Sequence, residues 1–535
     1  MDKNNLATAL NRLIPVLATV IAIFVLFVPP RPGVADQGDF QRMMDIAGLQ
    51  ETERSLAEPE SRFYQYVKAE YNMTAVNPLR FLGLVPSSSM IYPVMLAKTI
   101  CKVAGLNHFN TGILATVYTA LYIAAIWMCL CWTGIKRDPV KLFAIAATLV
   151  VMMDGNYLVW FNSLYGEPMM IIGLLLFSAA ALYTIKMNAA GFKGFLPLMI
   201  CSFLFLGSKP QCITALPLVI IILIRIFSMG KSADHKTKVN CLPFRNNKSS
   251  GRSGNQSLKQ TPDPLTINTS NTLSAVKASH WKRGFASCFL KAVLPVALLS
   301  AYTIGFYLLQ NNTCGVDTKY NAVFYGILKN SENQQKDLET LGLSGDLAVE
   351  AGKHAYLPRN EYTRYAPWSE MTQTEFNEKI SNFKLVRFYL LNPLRLIDGM
   401  KYTASQSFQT GTFLGKYEKA DIAEYTYVFR RFTFWSDFRS TVFPKNLWFI
   451  VLVYLAVFLV SAIEYRRQDC ISRLRTELLW MIMAIGIFQF PMPFVGNGEA
   501  DTAKQLFLFN FTFDILVIVA CTWAFSKIFF SNIEA

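Results

Sequence analysis

Five short polar groups in this otherwise apolar chain carry side chains able to do chemistry. They are Asp36-Gln37-Gly38-Asp39-Phe40, Asp154-Gly155-Asn156-Tyr157, Ser163-Leu164-Tyr165-Gly166-Glu167-Pro168, Ser208-Lys209-Pro210-Gln211 and Gly498-Glu499-Ala500-Asp501-Thr502-Ala503-Lys504. A carboxylate can take the proton of an attacking hydroxyl. A lysine stabilises the negative charge that grows on a departing phosphate. Acids and lysines side by side at a lipid–water boundary therefore suit a lipid-linked phosphate that passes a sugar to a hydroxyl acceptor. A channel needs no such mixture, and a plain anchor needs neither charge.

Each group also has an ordinary structural use. Asp36 or Asp39 is a good helix N-cap. Glu167-Pro168 suits a first helical turn by charge and by backbone. Lys209 and Lys504 suit an interface where the stem is buried and the ammonium stays wet. The chemical reading rests on the conjunction, because all five groups fall on one side of the membrane once the spans are placed.

The elements that must position them are apolar helices. Of 535 residues, 53% are hydrophobic and only 16% are charged, where a soluble domain carries about 25% charged residues. Continuous runs such as Leu13–Pro29 and Gly112–Thr133 approach the roughly 20 residues that cross hydrocarbon. A soluble enzyme is excluded, and so is a membrane β-barrel, whose strands alternate in short segments. Lys and Arg (51) outnumber Asp and Glu (36), leaving +15. Basic loops that set membrane orientation account for the excess, and nucleic-acid binding is not expected. Most of the ten cysteines lie in apolar runs, where they act as small hydrophobes. The first apolar run meets Pro29-Pro30-Arg31 with no small-residue cleavage site, so it reads as a retained anchor.

Loop charge predicts about ten spans with both chain ends cytoplasmic. The expected spans are Leu13–Pro29, Gly112–Thr133, Lys141–Met153, Pro168–Lys186, Lys193–Gly207, Ile213–Phe227, Phe285–Leu309, Asn446–Ile463, Leu478–Phe490 and Phe507–Phe529. Met90–Leu106 is broken by Pro93, Lys98 and Lys102, and reads as a surface helix on the outer face. A crossing there would push the cluster Lys136-Arg137-Asp138-Pro139-Val140-Lys141 outside. The chain thus divides into a transmembrane catalytic module over 1–309, a mostly helical extracytoplasmic domain over 310–445, and transmembrane helices over 446–535. The module includes an outer loop, 31–111, and a basic loop, 230–284, whose Ser, Asn, Lys and Gly content predicts disorder. The fold class is an all-α polytopic membrane protein.

This arrangement resembles the GT-C superfamily of membrane glycosyltransferases, with one span, an acidic motif early in a large outer loop, then a multispan bundle. More narrowly it is similar to WsfD-type hexose transferases of bacterial glycan biosynthesis. The matching segments are Gly38-Asp39-Phe40-Gln41-Arg42-Met43, Ser163–Pro168, Lys319–Leu328, Phe434-Trp435-Ser436 and Ala503–Asn510. The resemblance implies a polyprenyl-phosphate-linked sugar as donor, a glycan or lipid-linked acceptor, and inverting transfer on the outer face of a bacterial cytoplasmic membrane. Asp39 would be the base, with Asp36 as alternate, and Lys209 or Lys504 would steady the departing phosphate. Asp154, Glu167 and Asp501 would contact acceptor or sugar. Some superfamily members hold a divalent metal on such acids, so Asp36, Asp39, Asp154 and Glu167 are also candidate oxygen ligands; the metal question stays open.

Two other readings predict different residues. A polysaccharide polymerase or ligase using a lipid pyrophosphate would favour arginine- and histidine-rich outer loops, yet the chain has four histidines. A transporter or flippase would place ionisable residues at mid-membrane and break its helices, whereas here the spans read as clean. No internal repeat is visible. The topology carries a direct test. A single cysteine placed within Ile135–Pro139 of a cysteine-free protein should resist an impermeant maleimide on intact cells, and labelling there would overturn the orientation.

Overall fold

A computed structural model describes residues 3–53, 65–82, 84–187, 192–239, 293–310 and 315–530. Seven helices among them are long and apolar enough to cross a bilayer. These are Thr111–Trp132, Glu167–Met187, Pro210–Phe227, Val293–Gln310, Leu447–Arg467, Cys470–Asn497 and Phe507–Phe530. Two shorter apolar helices, Leu10–Leu26 and Gly194–Leu206, stand where the first and fifth spans were expected. The protein is an all-α polytopic membrane protein.

The third expected span, Lys141–Met153, is met by the helix Asp138–Met152, and the chain bends just beyond it. Asp138–Met152 is followed by Gly155–Phe161 at a bend of 52°. The cause is Asp154, whose backbone is extended and whose carboxylate caps the next turn by accepting the Asn156 N–H at 2.9 Å. The expected span ends before this acid, and the short helical turns that follow it were not foreseen. The helix from Leu216 continues to Val239, so the start of the basic stretch 230–284 is helical rather than loop. The remainder of that stretch, and the start of the expected Phe285–Leu309 span, lie outside the described residues.

The bundle has two chemically distinct ends. At one, Arg137 donates to the Phe530 carbonyl at 2.8 Å, Lys186 to the Cys131 carbonyl at 3.3 Å, and Arg225 to Glu477 at 2.7 Å. The basic clusters expected on the inner loops therefore share this end. The other end carries the long connections. There Ile91–Val103 forms a 13-residue helix, about 20 Å long at 1.5 Å per residue and too short to cross about 30 Å of hydrocarbon.

The loop-bearing end also holds a small sheet that hydropathy did not reveal. Strands β1 (Leu49–Glu51), β2 (Glu70–Met73) and β3 (His108–Asn110) pair antiparallel in the order β1-β2-β3, with Leu49 opposite Met73 and Tyr71 opposite Phe109. Strands of three or four residues are too short to show a period of two against their surroundings.

The stretch 310–445, expected as one mostly helical domain, divides into parts. Residues 315–405 build a core of their own around Tyr320, Phe324, Leu338, Phe376 and Phe388, closed by Phe494 from the last loop. After it an extended arm crosses back over the first loop. Gly33 and Ala35 donate to the Lys416 and Gly415 carbonyls at 2.8 and 2.9 Å, and Val67 donates to Tyr417 at 2.9 Å. The arm ends in the helix Phe434–Val442, whose Trp435 joins the main core.

One buried cation ties these loops together. Lys98 is 1% exposed, and its ammonium donates to the carbonyls of Ala47, Gly48 and Thr74 at 2.7–2.8 Å. Two of these close the C-terminal end of the helix Phe40–Ala47, where a positive charge is also favoured by the helix dipole. Lys98→Met keeps the stem but orphans the carbonyls, a loss of about 1–3 kcal/mol. Its thermal midpoint in detergent should fall by several degrees; an unchanged midpoint would contradict this role.

Candidate functional site

Asp36 shapes the first loop. It is buried, and its Oδ1 accepts the N–H groups of Gly38, Asp39 and Phe40 at 2.8, 2.9 and 3.1 Å. That clamp satisfies the orphan donors ahead of the helix Phe40–Ala47. Burial pushes the Asp36 carboxyl up to about 6, against the Phe40 and Gly38 N–H groups and with help from the Asp39 charge. Asp39 occupies the N-cap position yet caps nothing with its side chain. Of the two acids, Asp36 takes the capping role and Asp39 is left for other partners.

Those partners are cations. One Asp39 oxygen pairs with Arg42, three residues on, and the other accepts from Lys504 of the last loop. The Asp39 side chain stays about a third exposed, at 32%, so it remains open to a ligand. Burial opposes its ionisation, but Lys504, Arg42 and Lys209 together hold the carboxyl well below the usual carboxylate range.

Lys504 is the centre of the cluster. Its ammonium donates to Gln37 Oε1 at 2.9 Å and to Asp39, and stands 4.5 Å from the centroid of the Tyr165 ring. Burial disfavours the charge, yet Asp39, Asp501 and Glu167 hold it on the amine and raise its affinity for the proton. Gln37 in turn donates to Asp501. Tyr165 is fixed by its hydroxyl on the Ala35 carbonyl at 3.0 Å and by edge contacts to Phe40 and Trp160. The last loop reaches this place through Gly498, at φ 60°, whose missing Cβ would stand 2.5 Å from the Asn321 carbonyl. No other residue fits there.

Lys209 completes the cleft. It donates to Glu167 Oε1 at 2.6 Å, with Glu167 wholly buried and Lys209 19% exposed. Its stem passes over Gly166, where a Cβ would meet Lys209 Cγ at 2.5 Å. Asp39, Arg42, Tyr165, Lys209, Phe306 and Gln310 line one cleft. So the structure gathers Asp36, Asp39, Glu167, Lys209, Asp501 and Lys504 from four separate stretches of chain. Gln37, Arg42 and Tyr165 also belong to the cluster but drew no role from sequence. Arg42 alone had a signal, being one helical turn from Asp39.

Asp154 stands apart. It is 0% exposed, and its two oxygens accept the N–H groups of Asn156 and Ser436, each at 2.9 Å. Nor are the spans free of charge, as their hydropathy suggested. Asp514 lies two turns inside Phe507–Phe530 and pairs with the wholly buried Arg439, which also donates to the Tyr157 hydroxyl at 2.8 Å. One acid in a long apolar helix barely moves its hydropathy, and its partner comes from a segment outside the spans.

For a divalent metal the donors do not fit. Among the described residues no three His, Cys, Asp or Glu side chains are grouped to hold one. Asp36 is committed to three N–H groups, Asp39 to two cations and Glu167 to Lys209.

The fold and this cleft define a multi-pass membrane protein with a mixed-charge site at its loop-bearing end. Residues 2–244 and 273–534 match the family described as the YfdI N-terminal transmembrane domain. The chain belongs to that family, and the comparison shows no WsfD-type relative. No curated protein and no solved structure matches the chain.

The Asp36 clamp predicts a pH effect. Because the folded state binds this proton more tightly than the unfolded chain, Asp36 costs stability as pH rises from about 4 to about 6. Asp36→Asn keeps the acceptor and loses the charge. The midpoint of the variant minus that of the native protein should grow across this window and level off above it; a difference independent of pH would contradict the assignment.

Proposed function

We propose that the protein is a glycosyltransferase that moves a sugar from a polyprenyl-phosphate donor to a hydroxyl of a glycan or lipid-linked acceptor, with inversion. The observation that carries the reading is the meeting of Asp39, Arg42 and Lys209 in one cleft with Lys504 bound to Asp39. Family membership supports it, the family being GT-C-like. The separation of a basic end from the loop-bearing end supports an extracytoplasmic site in a bacterial cytoplasmic membrane, since basic loops stay inside.

In the reaction the acceptor oxygen attacks the anomeric carbon from the face opposite the phosphate. Its proton passes to Asp39 while the bond between anomeric carbon and phosphate oxygen breaks, leaving that electron pair on the polyprenyl phosphate. Lys504, Lys209 and Arg42 hold the growing charge. In the unliganded protein Asp39 is a weak base, because two cations pair with it. A donor phosphate competes for those same cations and so makes the carboxylate more basic as the donor binds. Lys209 acts as a point charge able to follow the phosphate.

Two features favour a transporter instead, the bent span at Asp154 and the Asp514–Arg439 pair inside the bundle. Both charges are 0% exposed, and Arg439 is held by Tyr157, Phe408 and Thr410. The pair joins the Phe434–Val442 helix to the last span, which gives it a structural role.

Purified protein should release polyprenyl phosphate from one of a panel of polyprenyl-phosphate hexoses when a glycan or lipid acceptor is present. Asp39→Asn should lower turnover about 10²–10⁴-fold. Lys209→Met should reduce both turnover and donor affinity. Normal turnover in Asp39→Asn would defeat the base assignment, and no release with any donor would defeat the glycosyltransferase reading.

A further inference from the structure

The Asp39–Lys209 cleft does not end at its charged walls. Two of the stretches that build it give Ser88 and Met90 on one side and Ser208, Lys209 and Pro210 on the other. The same two stretches continue into a second hollow, lined by Tyr92, Met199, Ile200, Phe203 and Leu204. This groove of about 430 Å³ falls within the roughly 300–1,000 Å³ of small-ligand sites. The two stretches are fastened together where cleft and groove meet. The Ser89 N–H donates to the Gly207 carbonyl at 2.8 Å, and the Ser89 hydroxyl to the Leu204 carbonyl at 2.7 Å. The Ser88 hydroxyl donates to the Ser208 carbonyl at 3.0 Å. One seam of chain thus carries a charged cleft at one end and an apolar groove at the other.

A third element runs alongside. The helix Val293–Gln310 gives Phe306 and Gln310 to the cleft. One turn further from its outer end, Tyr302 stacks on Phe306 with ring centroids 6.3 Å apart, and lies 4.1 Å from the Phe203 ring of the groove. Tyr92 stands 6.2 Å from Phe203 on the other side. Rings therefore follow one another without a break from the charged cleft to the apolar groove. Tyr302 is fixed by its hydroxyl on the Ser87 carbonyl and by close packing on Gly207, where a Cβ would meet its oxygen at 2.6 Å. The groove itself is open, with Ile200 50% exposed and Tyr92, Met199, Phe203 and Leu204 half-buried. Ile200 lies six residues inside the helix Gly194–Leu206, about 9 Å below its outer end at 1.5 Å per residue. A farnesyl chain, roughly 15 Å long at ~1.5 Å per carbon–carbon bond, spans that depth.

We infer that this groove seats the first isoprene units of the donor's lipid tail while its phosphate rests on Lys209 and Arg42 in the cleft. Cations at the interface and an apolar groove below them match one amphiphile, with an anionic head and a hydrocarbon tail. A bilayer tail is as apolar as the groove, so burial alone gives no preference for the groove over the membrane. The preference comes from fit. Flat ring faces and the branched side chains of Ile200 and Leu204 make more close contacts with a methyl-branched, unsaturated chain than with a straight saturated one. The groove thereby selects an isoprenoid carrier over ordinary membrane lipid and sets the position of its phosphate. This deepens the glycosyltransferase reading and rests on it for the identity of the donor.

The test is photolabelling of the full chain in nanodiscs of a saturated phosphatidylcholine, with a farnesyl phosphate that carries a diazirine in its third isoprene unit. Peptide mapping should find the label on Tyr92 or within 199–204, and Lys209→Met should weaken it. Unmodified farnesyl phosphate should compete the label away. Dodecyl phosphate has the same backbone length without branches or double bonds, and should compete at least about fivefold less well, the size of a disrupted packing contact. Label confined to other segments, label unchanged in Lys209→Met, or equal competition by dodecyl phosphate would overturn the inference; the last would show that any bilayer lipid fills the groove. No turnover is needed, so the groove can stand while the sugar transfer fails, and the reverse. In turnover assays Ile200→Trp fills the groove from a half-exposed position and should raise the donor KM at least about fivefold, with the acceptor KM unchanged. An unchanged donor KM in a variant of native thermal midpoint would overturn it, and if the variant does not fold, the labelling of the native chain decides.

Discussion

An ion pair between the first loop and the last holds this site together. Lys504 and Asp39 are 465 positions apart in the chain, and the lysine side chain is 7% exposed. Taking an ammonium this far out of water is unfavourable unless a carboxylate and further acceptors compensate it. Asp39, the Gln37 amide and the Tyr165 ring supply that compensation. Once the pair is required, much else follows. Asp36 must fold its loop so that Asp39 turns away from the helix it precedes, Lys98 must hold the far end of that helix, and Gly498 must let the last loop pass close to Asn321.

The rest of the molecule braces those loops from behind. The extended arm through Gly415 and Lys416 pairs with the first loop and runs on to Ser436 and Arg439. Those residues dock on Asp154 and Asp514, two buried acids of the bundle. Acids at this end therefore do two kinds of work. Asp154 and Asp514 are sealed from solvent and held by protein donors, which fixes where the arm lies. Asp39 keeps a third of its side chain open, and its partners are cations that a phosphate can draw away. Exposure separates the two classes.

Much of this was readable from sequence. Unbroken apolar runs named the places of the helices, because crossing hydrocarbon demands length and uniformity. Basic clusters sorted the loops into two sets, and the structure brings one set to a common end. The acids and lysines at span ends announced a charged site, since charges near lipid are costly to keep. What could not be read depends on contacts between distant stretches. The bend at Asp154, the arm pairing with Gly33 and Ala35, and the Arg439–Asp514 pair leave no local periodicity. The division between Asp36 as clamp and Asp39 as open carboxylate turned on a three-residue difference in backbone path.

The coupling of Asp39 to Lys504 serves both the fold and the chemistry of the site. A double-mutant cycle of Asp39→Asn and Lys504→Met addresses both, with thermal midpoint and turnover measured on the same four proteins. Each single change leaves a buried or half-buried charge without its partner, so each should destabilise, and the double change should lose clearly less than the sum. Turnover should stay lost in the double variant, because base and phosphate cation are both gone. Stability losses that simply add would contradict the pair. Turnover that recovers along with stability would show that the pair supports the fold alone.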